Sequence, residues 1–254
     1  MIKKAAYLIF SLICLSFLLE MLKKINLSVF LNFSNLPTIQ DIFQYTVKQI
    51  GNTDFYYNIS HSIVRILSGF LISVSLSIPL AFLTFQTKFV RNFIYPILEL
   101  LRPVPNAAWI PISILIFTSI NSSVIFIIAI SSFFPIFVNT LRGLEHIHIN
   151  YIKTSKFLGV TKVSYLFEVL LPAALPNIFT GLSLGISGAW LGLVMAEMIS
   201  GHNGIGYMIW VSYTLIDFSG VIFGTIVIGS LGALSSLLLK LLSKRLLRWK
   251  KNYS

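Results

Sequence analysis

Between Arg102 and Arg142 the chain contains no charged residue, and this is the longest uncharged stretch of the sequence. A transmembrane helix needs about 20 apolar residues, so the stretch is long enough for more than one membrane crossing. Charged residues make up 11% of the whole chain, against about 25% in soluble domains, and the mean hydropathy is +0.86. An ordinary soluble domain is therefore excluded. So are a disordered chain and a disulfide scaffold, because the chain is apolar and Cys14 is its single cysteine.

Polar and charged residues divide the sequence into six predicted spans. The first runs from Ala5 to Leu22, and the absence of a small-residue cleavage site after it favours a retained helix over a signal peptide. The turn-rich cluster Thr118–Ser123 separates the third span from the fourth. The other predicted spans cover about 60–84, 94–118, 123–141, 173–198 and 218–239. The predicted fold is an all-α, polytopic membrane bundle in one domain.

The basic residues indicate how this bundle is oriented. They concentrate at the N-terminus, at 88–91, at 142–162 and at the C-terminus, which lie on one side if there are six spans. The positive-inside rule places that side, with both termini, in the cytoplasm. The net charge of +11 is thereby explained without nucleic-acid binding, because the basic residues flank apolar stretches rather than forming one face.

A short amphipathic helix is predicted between the first two spans. Thr38 and Asp41 have the spacing of a capping box, which starts a helix. Apolar residues then follow at helical spacing: Ile39, Ile42, Phe43, Val47 and Ile50. Such a helix either lies on the membrane surface or packs on the bundle as part of a loop, and the pattern does not distinguish the two.

The motifs of common enzymes are missing from the sequence. There is no Gly-x-x-x-x-Gly-Lys-Ser/Thr phosphate loop, no His-Glu-x-x-His and no cysteine pair. His146 and His148 are two residues apart, which points them to different faces of a helix and favours surface positions over metal ligation. We therefore expect no catalytic residue, no metal site and no cofactor in this chain.

Ionisable residues inside the predicted spans are costly, so by default they face the bundle interior or a water-filled path. Arg65 lies near the start of the second span. Glu99 and Arg102 are three residues apart in the third span, close enough to pair on one helix face. Pro103 and Pro105 then interrupt the helix, and broken backbone at membrane depth is tolerated where it lines a cavity. The segment is a candidate lining of a translocation path, or alternatively an ion pair at a helix kink.

Glu197 ends the fifth span, just before the Gly-rich stretch Ser200–Tyr207, which is predicted to be an irregular hairpin. Its carboxylate either faces the mouth of a cavity or reaches the membrane interface, and we favour the interface. Small residues at helical spacing predict close contacts between helices: Gly181, Gly185, Gly188, Gly220 and Gly224.

The cytoplasmic segment 151–176 contains a short helix, a glycine stop at Gly159, a second amphipathic helix and a proline-bounded start of the fifth span at Pro172. A partly apolar helix held in the cytoplasm suits docking into a groove of another protein. The segment resembles the EAA loop of permease subunits of ABC-type importers. Gly159, Leu171–Pro172, Pro176 and Gly181 match that motif. Its Glu-Ala-Ala positions fall on Lys153, Thr154 and Ser155, so the charge at the first is reversed.

The resemblance extends over about residues 55–240 and is strongest with the nitrate, sulfonate and taurine branch of these permeases. The matching segments are Ser62–Arg65 with Gly69, Leu101–Pro105 with Ala108–Pro111, Phe133–Pro135 with Asn139–Thr140, and Ala189–Trp190 with Ala196–Glu197.

The resemblance implies a type I importer in the bacterial inner membrane, with a core at about 55–240 and a coupling loop at about 142–168. Two permease chains, as a homodimer or heterodimer, would form the pore within the membrane lipid. Two cytoplasmic ATP-binding subunits would dock at the coupling loops, and an external binding protein would deliver a substrate. That substrate would be a small anion of the nitrate, sulfonate or taurine type, or an organic solute such as a thiamine precursor.

The residues implied in ATPase docking are Lys153, Thr154, Ser155, Gly159, Pro172 and Pro176. The candidate path residues are Arg65, Glu99, Arg102, Pro103, Pro105 and Glu197. A self-sufficient secondary transporter is the alternative, and ATP dependence would distinguish the two.

Overall fold

The computed structural model of the chain describes Met21 and residues 36–247, and the regular elements in these residues are all helical. The predicted first span lies outside the described residues except for Met21. The helices are α1 (Ile39–Ile50), α2 (Thr53–Gln86), α3 (Tyr95–Leu101), α4 (Trp109–Ile116), α5 (Ile120–Glu145), α6 (Ile149–Phe157), α7 (Lys162–Ser200), α8 (Ile205–Thr214) and α9 (Phe218–Leu246).

The centre of the bundle is formed by α5, which packs between α2 and α7. The shared core contains buried apolar side chains of all three helices and of α4, including Ile66, Phe70, Ile110, Ile127, Ile128, Ile136, Trp190 and Leu193. A Cβ on Gly188 of α7 would lie 2.6 Å from the carbonyl oxygen of Ser131, so the two helix backbones approach closely there. The predicted close contacts at the glycines are confirmed, and they lie within this chain's own bundle.

The two ends of the bundle are distinct. At one end, Phe82 of α2, Leu144 of α5 and Leu170 of α7 share an apolar cluster. The loops and helix ends here carry the basic residues Lys88, Arg91, Arg142, Lys153, Lys162, Lys240, Lys244 and Arg245. We call this the basic end, which the positive-inside rule places in the cytoplasm. The opposite end, where α2, α5 and α7 meet through Arg65, Asn121 and Glu197, is then the outer end.

Four described helices are long and apolar enough to cross a membrane: α2, α5, α7 and α9. They confirm the second, fourth, fifth and sixth predicted spans, and each is longer than predicted. The third predicted span, about 94–118, is divided between α3 and α4, with the interruption that Pro103 and Pro105 predict. Helix α3 ends at Leu101, residues 102–105 form a turn, and a short 3₁₀ turn at Asn106–Ala108 leads into α4. Proline fixes its own φ and disfavours helix in the residue before it, so Pro103 and Pro105 break the helix.

The predicted proline-bounded start of the fifth span is confirmed in part: the regular α-helical stretch begins at Leu171 with Pro172 in its first turn, but the helical backbone runs on without a break from Lys162. The segment Tyr165–Leu170 is a π-helical turn, in which the amide of Leu171 donates to the carbonyl of Leu166, five residues back. A proline in a helix clashes with the carbonyl four residues before it, and the wider turn moves that carbonyl aside. A π-helical turn at Val90–Ile94 likewise precedes Pro96.

The predicted amphipathic helix is confirmed as α1. The side chain of Thr38 accepts a hydrogen bond from the amide of Asp41, and the carboxylate of Asp41 accepts one from the amide of Thr38. This reciprocal capping box starts the helix as the sequence pattern predicts. Helix α1 ends at Ile50, with Gly51 as its C-cap, and packs against α9, where Tyr45 contacts Phe223 with ring centroids 5.6 Å apart.

Candidate functional sites

A buried ion pair joins the outer ends of α2 and α7. Nη1 of Arg65 lies 2.8 Å from Oε1 of Glu197, and the two side chains are 4% and 0% exposed. The guanidinium also donates to the Oδ1 of Asn121 at 2.7 Å, and to the backbone and side-chain oxygens of Asn203. One cation thus links α2, the start of α5, the end of α7 and the segment after α7.

The carboxylate of Glu197 is held by neutral donors as well. It accepts hydrogen bonds from the hydroxyl of Ser62 at 2.9 Å and from the amide of Gly206 at 2.9 Å. Gly204 has a φ of +113°, and a Cβ there would lie 2.2 Å from the carboxylate, so only glycine fits at this position. These contacts fold segment 201–206 tightly over the carboxylate.

Two further bonds fix the same segment to α2. The amide of Gly204 donates to the side chain of Asn58 at 2.7 Å, and the amide of Ile205 donates to Ser62 at 2.9 Å. We call the assembly of Asn58, Ser62, Arg65, Asn121, Glu197 and segment 203–206 the outer clamp. Its charges are paired and its polar groups are hydrogen-bonded, which is the condition under which buried ionic groups are tolerated.

The outer clamp changes the interpretation of two candidate path residues. The expectation that Glu197 reaches the membrane interface is wrong, because its side chain is fully buried and bonded inside the bundle. Arg65 is directed to the protein interior rather than to a solvent path. The sequence patterns did not predict the hydrogen-bond partners of this ion pair, which are Ser62, Asn121 and Asn203. The sequence feature that could have predicted the pair is that Arg65 and Glu197 are ionisable residues of opposite charge at the outer ends of two spans, where each would neutralise the other.

Arg102 lies in a different part of the fold. It is exposed at the break between α3 and α4, next to Phe134 and Val138 of α5. Phe134 is 13 residues after Asn121, a separation of about 20 Å along α5 at 1.5 Å per residue. Since Phe134 lies near the middle of α5, Arg102 lies beside the middle of that helix and well away from the outer clamp.

The residues next to Arg102 in the sequence are also exposed to solvent. Pro103 and Pro105 are exposed, and so is Glu99. The predicted pairing of Glu99 with Arg102 is not found in the described part of the chain. Instead, the carboxylate of Glu99 accepts a hydrogen bond from the hydroxyl of Tyr95 at 3.2 Å. Broken backbone and an exposed cation at this depth require a water-filled cavity or another protein surface beside them.

At the basic end, α6 and the start of α7 form the segment that resembles the EAA loop. Helix α6 ends at Phe157, and Gly159 follows with a φ of +66°, the left-handed conformation that glycine adopts without strain. The predicted glycine stop is therefore confirmed. Thr161 then caps the start of α7 by accepting a hydrogen bond from the amide of Ser164. The predicted separate second helix is instead the first part of α7.

Several large apolar side chains on this segment are exposed at the basic end, where the positive-inside rule places water rather than lipid. Phe157 is 90% exposed, Leu158 71%, Tyr151 68% and Val163 67%. We call these four side chains the apolar docking surface. Isolated exposed apolar residues are common, but several together at the end of a bundle indicate an interaction site.

The residues at the three EAA positions lie on α6. Lys153 and Thr154 are exposed, whereas Ser155 is buried and its hydroxyl donates to the carbonyl of Ile152. An open cavity of about 710 Å³ separates α6 from α7, and its lining includes Thr154, Ser155 and Pro172. Pro176 lines an adjoining cavity of about 380 Å³ together with the exposed His146 and His148. The described residues contain no group of side chains suited to hold a metal ion.

Comparison with known proteins agrees with this architecture. Residues 73–248 match the family described as the inner membrane component of binding-protein-dependent transport systems. The nitrate import permease protein NrtB of Synechocystis sp. is 36% identical over 210 residues, which cover 79% of this chain and 76% of that protein.

Two further relatives carry different transport names. The bicarbonate transport system permease protein CmpB of Synechococcus elongatus is 35% identical over 188 residues, covering 74% of this chain and 68% of that protein. A Bacillus subtilis permease, SsuC, which is assigned to the transport of aliphatic sulfonates, is 33% identical over 218 residues. That match covers 86% of this chain and 79% of SsuC.

The family match spans Arg102, the EAA-like segment and, of the outer clamp, Asn121, Glu197 and segment 203–206, and the relatives are named as permeases. They favour an ABC importer component over a self-sufficient secondary transporter. The chain belongs to the inner-membrane permease components of binding-protein-dependent ABC importers, and it is a multi-pass membrane protein of that family.

Proposed function

We propose that this chain forms the translocation path for a small anion in an ATP-driven importer, with Arg102 as the cation that lines the path. The observation that carries this proposal is that Arg102 is exposed at the break between α3 and α4, beside the middle of the apolar helix α5. A charge at that depth is costly unless it meets water, a counter-charge or a substrate.

The names of the relatives support an anionic substrate. Nitrate, bicarbonate and aliphatic sulfonates differ in shape but share a small, negatively charged group with several oxygen atoms. A guanidinium recognises such groups through charge-assisted hydrogen bonds. Arg65 is less suited to this role, because its donors are already bonded to Asn121, Glu197 and Asn203.

We further propose that the apolar docking surface and the cavity between α6 and α7 receive a separate cytoplasmic ATPase subunit. Phe157 is almost fully exposed and lies at the basic end, on the side that the positive-inside rule assigns to the cytoplasm. Lys153 and Thr154 would lie at the edge of that contact, and Gly159 and Pro172 would shape it. A second permease chain and an external binding protein complete the assembly.

Uptake by reconstituted importer tests the role of Arg102. Loss of one charge-assisted hydrogen bond, worth about 1.5–3 kcal/mol, predicts that Arg102→Ala lowers the anion uptake rate about 10- to 150-fold. Arg102→Lys keeps the charge and should retain much of the rate. The matched control is Arg91→Ala, which removes an exposed arginine at the basic end, where it pairs with Glu145 at the surface. That variant should change uptake less than about twofold.

Normal anion uptake by Arg102→Ala, at normal abundance in the membrane, would contradict the proposed path. The ATPase partner is tested separately, by mild detergent extraction from native membranes and mass spectrometry of copurifying proteins. A protein with a phosphate loop, in amounts equal to this chain, is the expected result. Its repeated absence from a folded sample would contradict the proposed docking.

A further inference from the structure

We infer that α1 (Ile39–Ile50) is an interfacial helix, which lies in the outer leaflet of the membrane and inserts one apolar face among the lipids. Three sets of residues, distinguished by burial and polarity, divide the helix surface. Ile42, Tyr45, Thr46 and Gln49 are half-buried, whereas Ile39, Phe43, Val47 and Ile50 are exposed and apolar. Gln40, Asp41, Gln44 and Lys48 are exposed and polar.

Helical geometry places these sets on separate faces. At about 100° per residue, the half-buried residues, the exposed apolar residues and the exposed polar residues each occupy one sector of about 80–100°. The sectors follow one another around the helix without mixing. The bundle accounts for the half-buried face and water for the polar face, so the exposed apolar face needs an apolar environment that the described bundle does not supply.

The half-buried face is the one that contacts the bundle. Tyr45 packs against Phe223 of α9, and its hydroxyl lies close to Gly220. Phe55, in the first turn of α2, contacts the same Phe223 ring with centroids 5.2 Å apart. The middle of α1 and the start of α2 therefore lie at one level, and α1 lies beside the outer ends of the spans rather than above them.

The depth of that contact fits the membrane interface. Phe223 is five residues after the first residue of α9, which is about 8 Å along the helix axis. Interfacial helices bury their apolar face about 5–10 Å into the boundary between headgroups and acyl chains. Helix α9 is long, apolar and little buried in the described part of the chain, so α1 packs on a helix whose surface suits contact with lipid.

The exposed apolar face is too regular to be incidental. Ile39 is 53% exposed, Phe43 66%, Val47 56% and Ile50 57%, and the four form one stripe along the whole helix. The polar face, with Lys48 and the glutamines, then points to the external water. Acyl chains are the occupant that the depth and the surrounding apolar surface favour over a soluble binding protein or a second permease chain.

Site-directed spin labelling of the assembled importer in lipid nanodiscs tests this inference. Single cysteines at Phe43 and Val47 are compared with matched cysteines at Gln44 and Lys48, all in a Cys14→Ser background. Collision rates are measured with oxygen, which concentrates in lipid, and with a water-soluble nickel chelate. The ratio of oxygen to nickel collisions should be severalfold higher at Phe43 and Val47 than at Gln44 and Lys48.

Two results would overturn the inference. Equal ratios at all four sites would show that the stripe faces water. Low collision rates with both reagents at Phe43 and Val47 would show that protein covers the stripe, whether another part of this chain, a second copy or a binding protein. Anion uptake by each labelled variant verifies that the importer has assembled.

Discussion

Replacing Arg65 by alanine should destabilise the protein far more than replacing any surface arginine. The guanidinium is 4% exposed and bonds to Glu197, Asn121 and Asn203, so the substitution disconnects α2 from α5, α7 and segment 203–206. It also leaves the carboxylate of Glu197 buried, with Ser62 and Gly206 as its remaining donors.

The magnitude follows from the burial of both partners. Removing one member of a buried ion pair costs about 3–5 kcal/mol, since the other charge stays in a poorly solvated site. For a chain of this size each kcal/mol lowers the melting temperature by about 2–4 °C, which gives a decrease of roughly 6–20 °C. Arg91 pairs with Glu145 at the surface, where both are substantially exposed, so Arg91→Ala should cost about 0–1 kcal/mol.

Thermal unfolding in detergent measures this difference, as the fraction of monodisperse protein that remains after stepwise heating. A double variant, Arg65→Met with Glu197→Leu, adds a second comparison. It removes both charges together and should recover part of the stability lost in Arg65→Ala, because a buried pair replaced by apolar residues is often near neutral.

One pattern would refute the reasoning. If Arg65→Ala melts within a few degrees of the unmodified chain and loses anion uptake, Arg65 acts on the substrate rather than on the fold. The outer clamp would then be a transport site.

Three further predictions concern glycines and the apolar docking surface. Gly188→Ala should lower the melting temperature, because its Cβ would lie 2.6 Å from the carbonyl oxygen of Ser131. The matched control is Gly229→Ala, whose Cβ would meet no atom within 4 Å, so it should be neutral or stabilise the protein by up to about 1 kcal/mol. Gly159→Val forces a β-branched residue to a φ of +66°, which costs about 1–2 kcal/mol or more. Because this strain distorts the segment proposed to receive the ATPase, the rate of anion uptake should fall while membrane insertion is unchanged. Phe157→Asp should reduce the ATPase that copurifies without shifting the melting temperature, since this side chain is 90% exposed, and equal recovery of ATPase would argue against docking there.

Local patterns in the sequence predicted much of the fold. Hydropathy identified the regions of α2, α5, α7 and α9, and the Thr38–Asp41 spacing identified the start of α1. These features depend on neighbours a few residues apart, which a single sequence displays directly. The continuity of α7 through Pro172 was not predictable in this way, because the π-helical turn that accommodates the proline has no distinct residue signature.

The outer clamp shows what the sequence could not supply. Arg65 and Glu197 were each identified as ionisable residues within spans, yet they are 132 residues apart and their pairing depends on how α2 and α7 pack around α5. The nearer pair, Glu99 and Arg102, has favourable spacing but does not form, although Arg102 keeps a helical backbone conformation as the C-cap of α3; the carboxylate of Glu99 bonds to Tyr95 instead. Helical spacing permits a contact between two exposed side chains but does not enforce it.

The unbroken course of α7 has a mechanical consequence. Lys162 at its first turn adjoins the apolar docking surface, and Glu197 near its last turn belongs to the outer clamp, roughly 50 Å away at 1.5 Å per residue. Between them there is no loop, and the features that allow a helix to bend, the π-helical turn at Tyr165–Leu170 with Pro172 and Pro176, lie near the basic end. If α7 moved as one body, a tilt of about 5° would displace the far end by roughly 4 Å, more than the length of the hydrogen bonds that hold Glu197. A displacement at the basic end would then reach the outer clamp through a single helix.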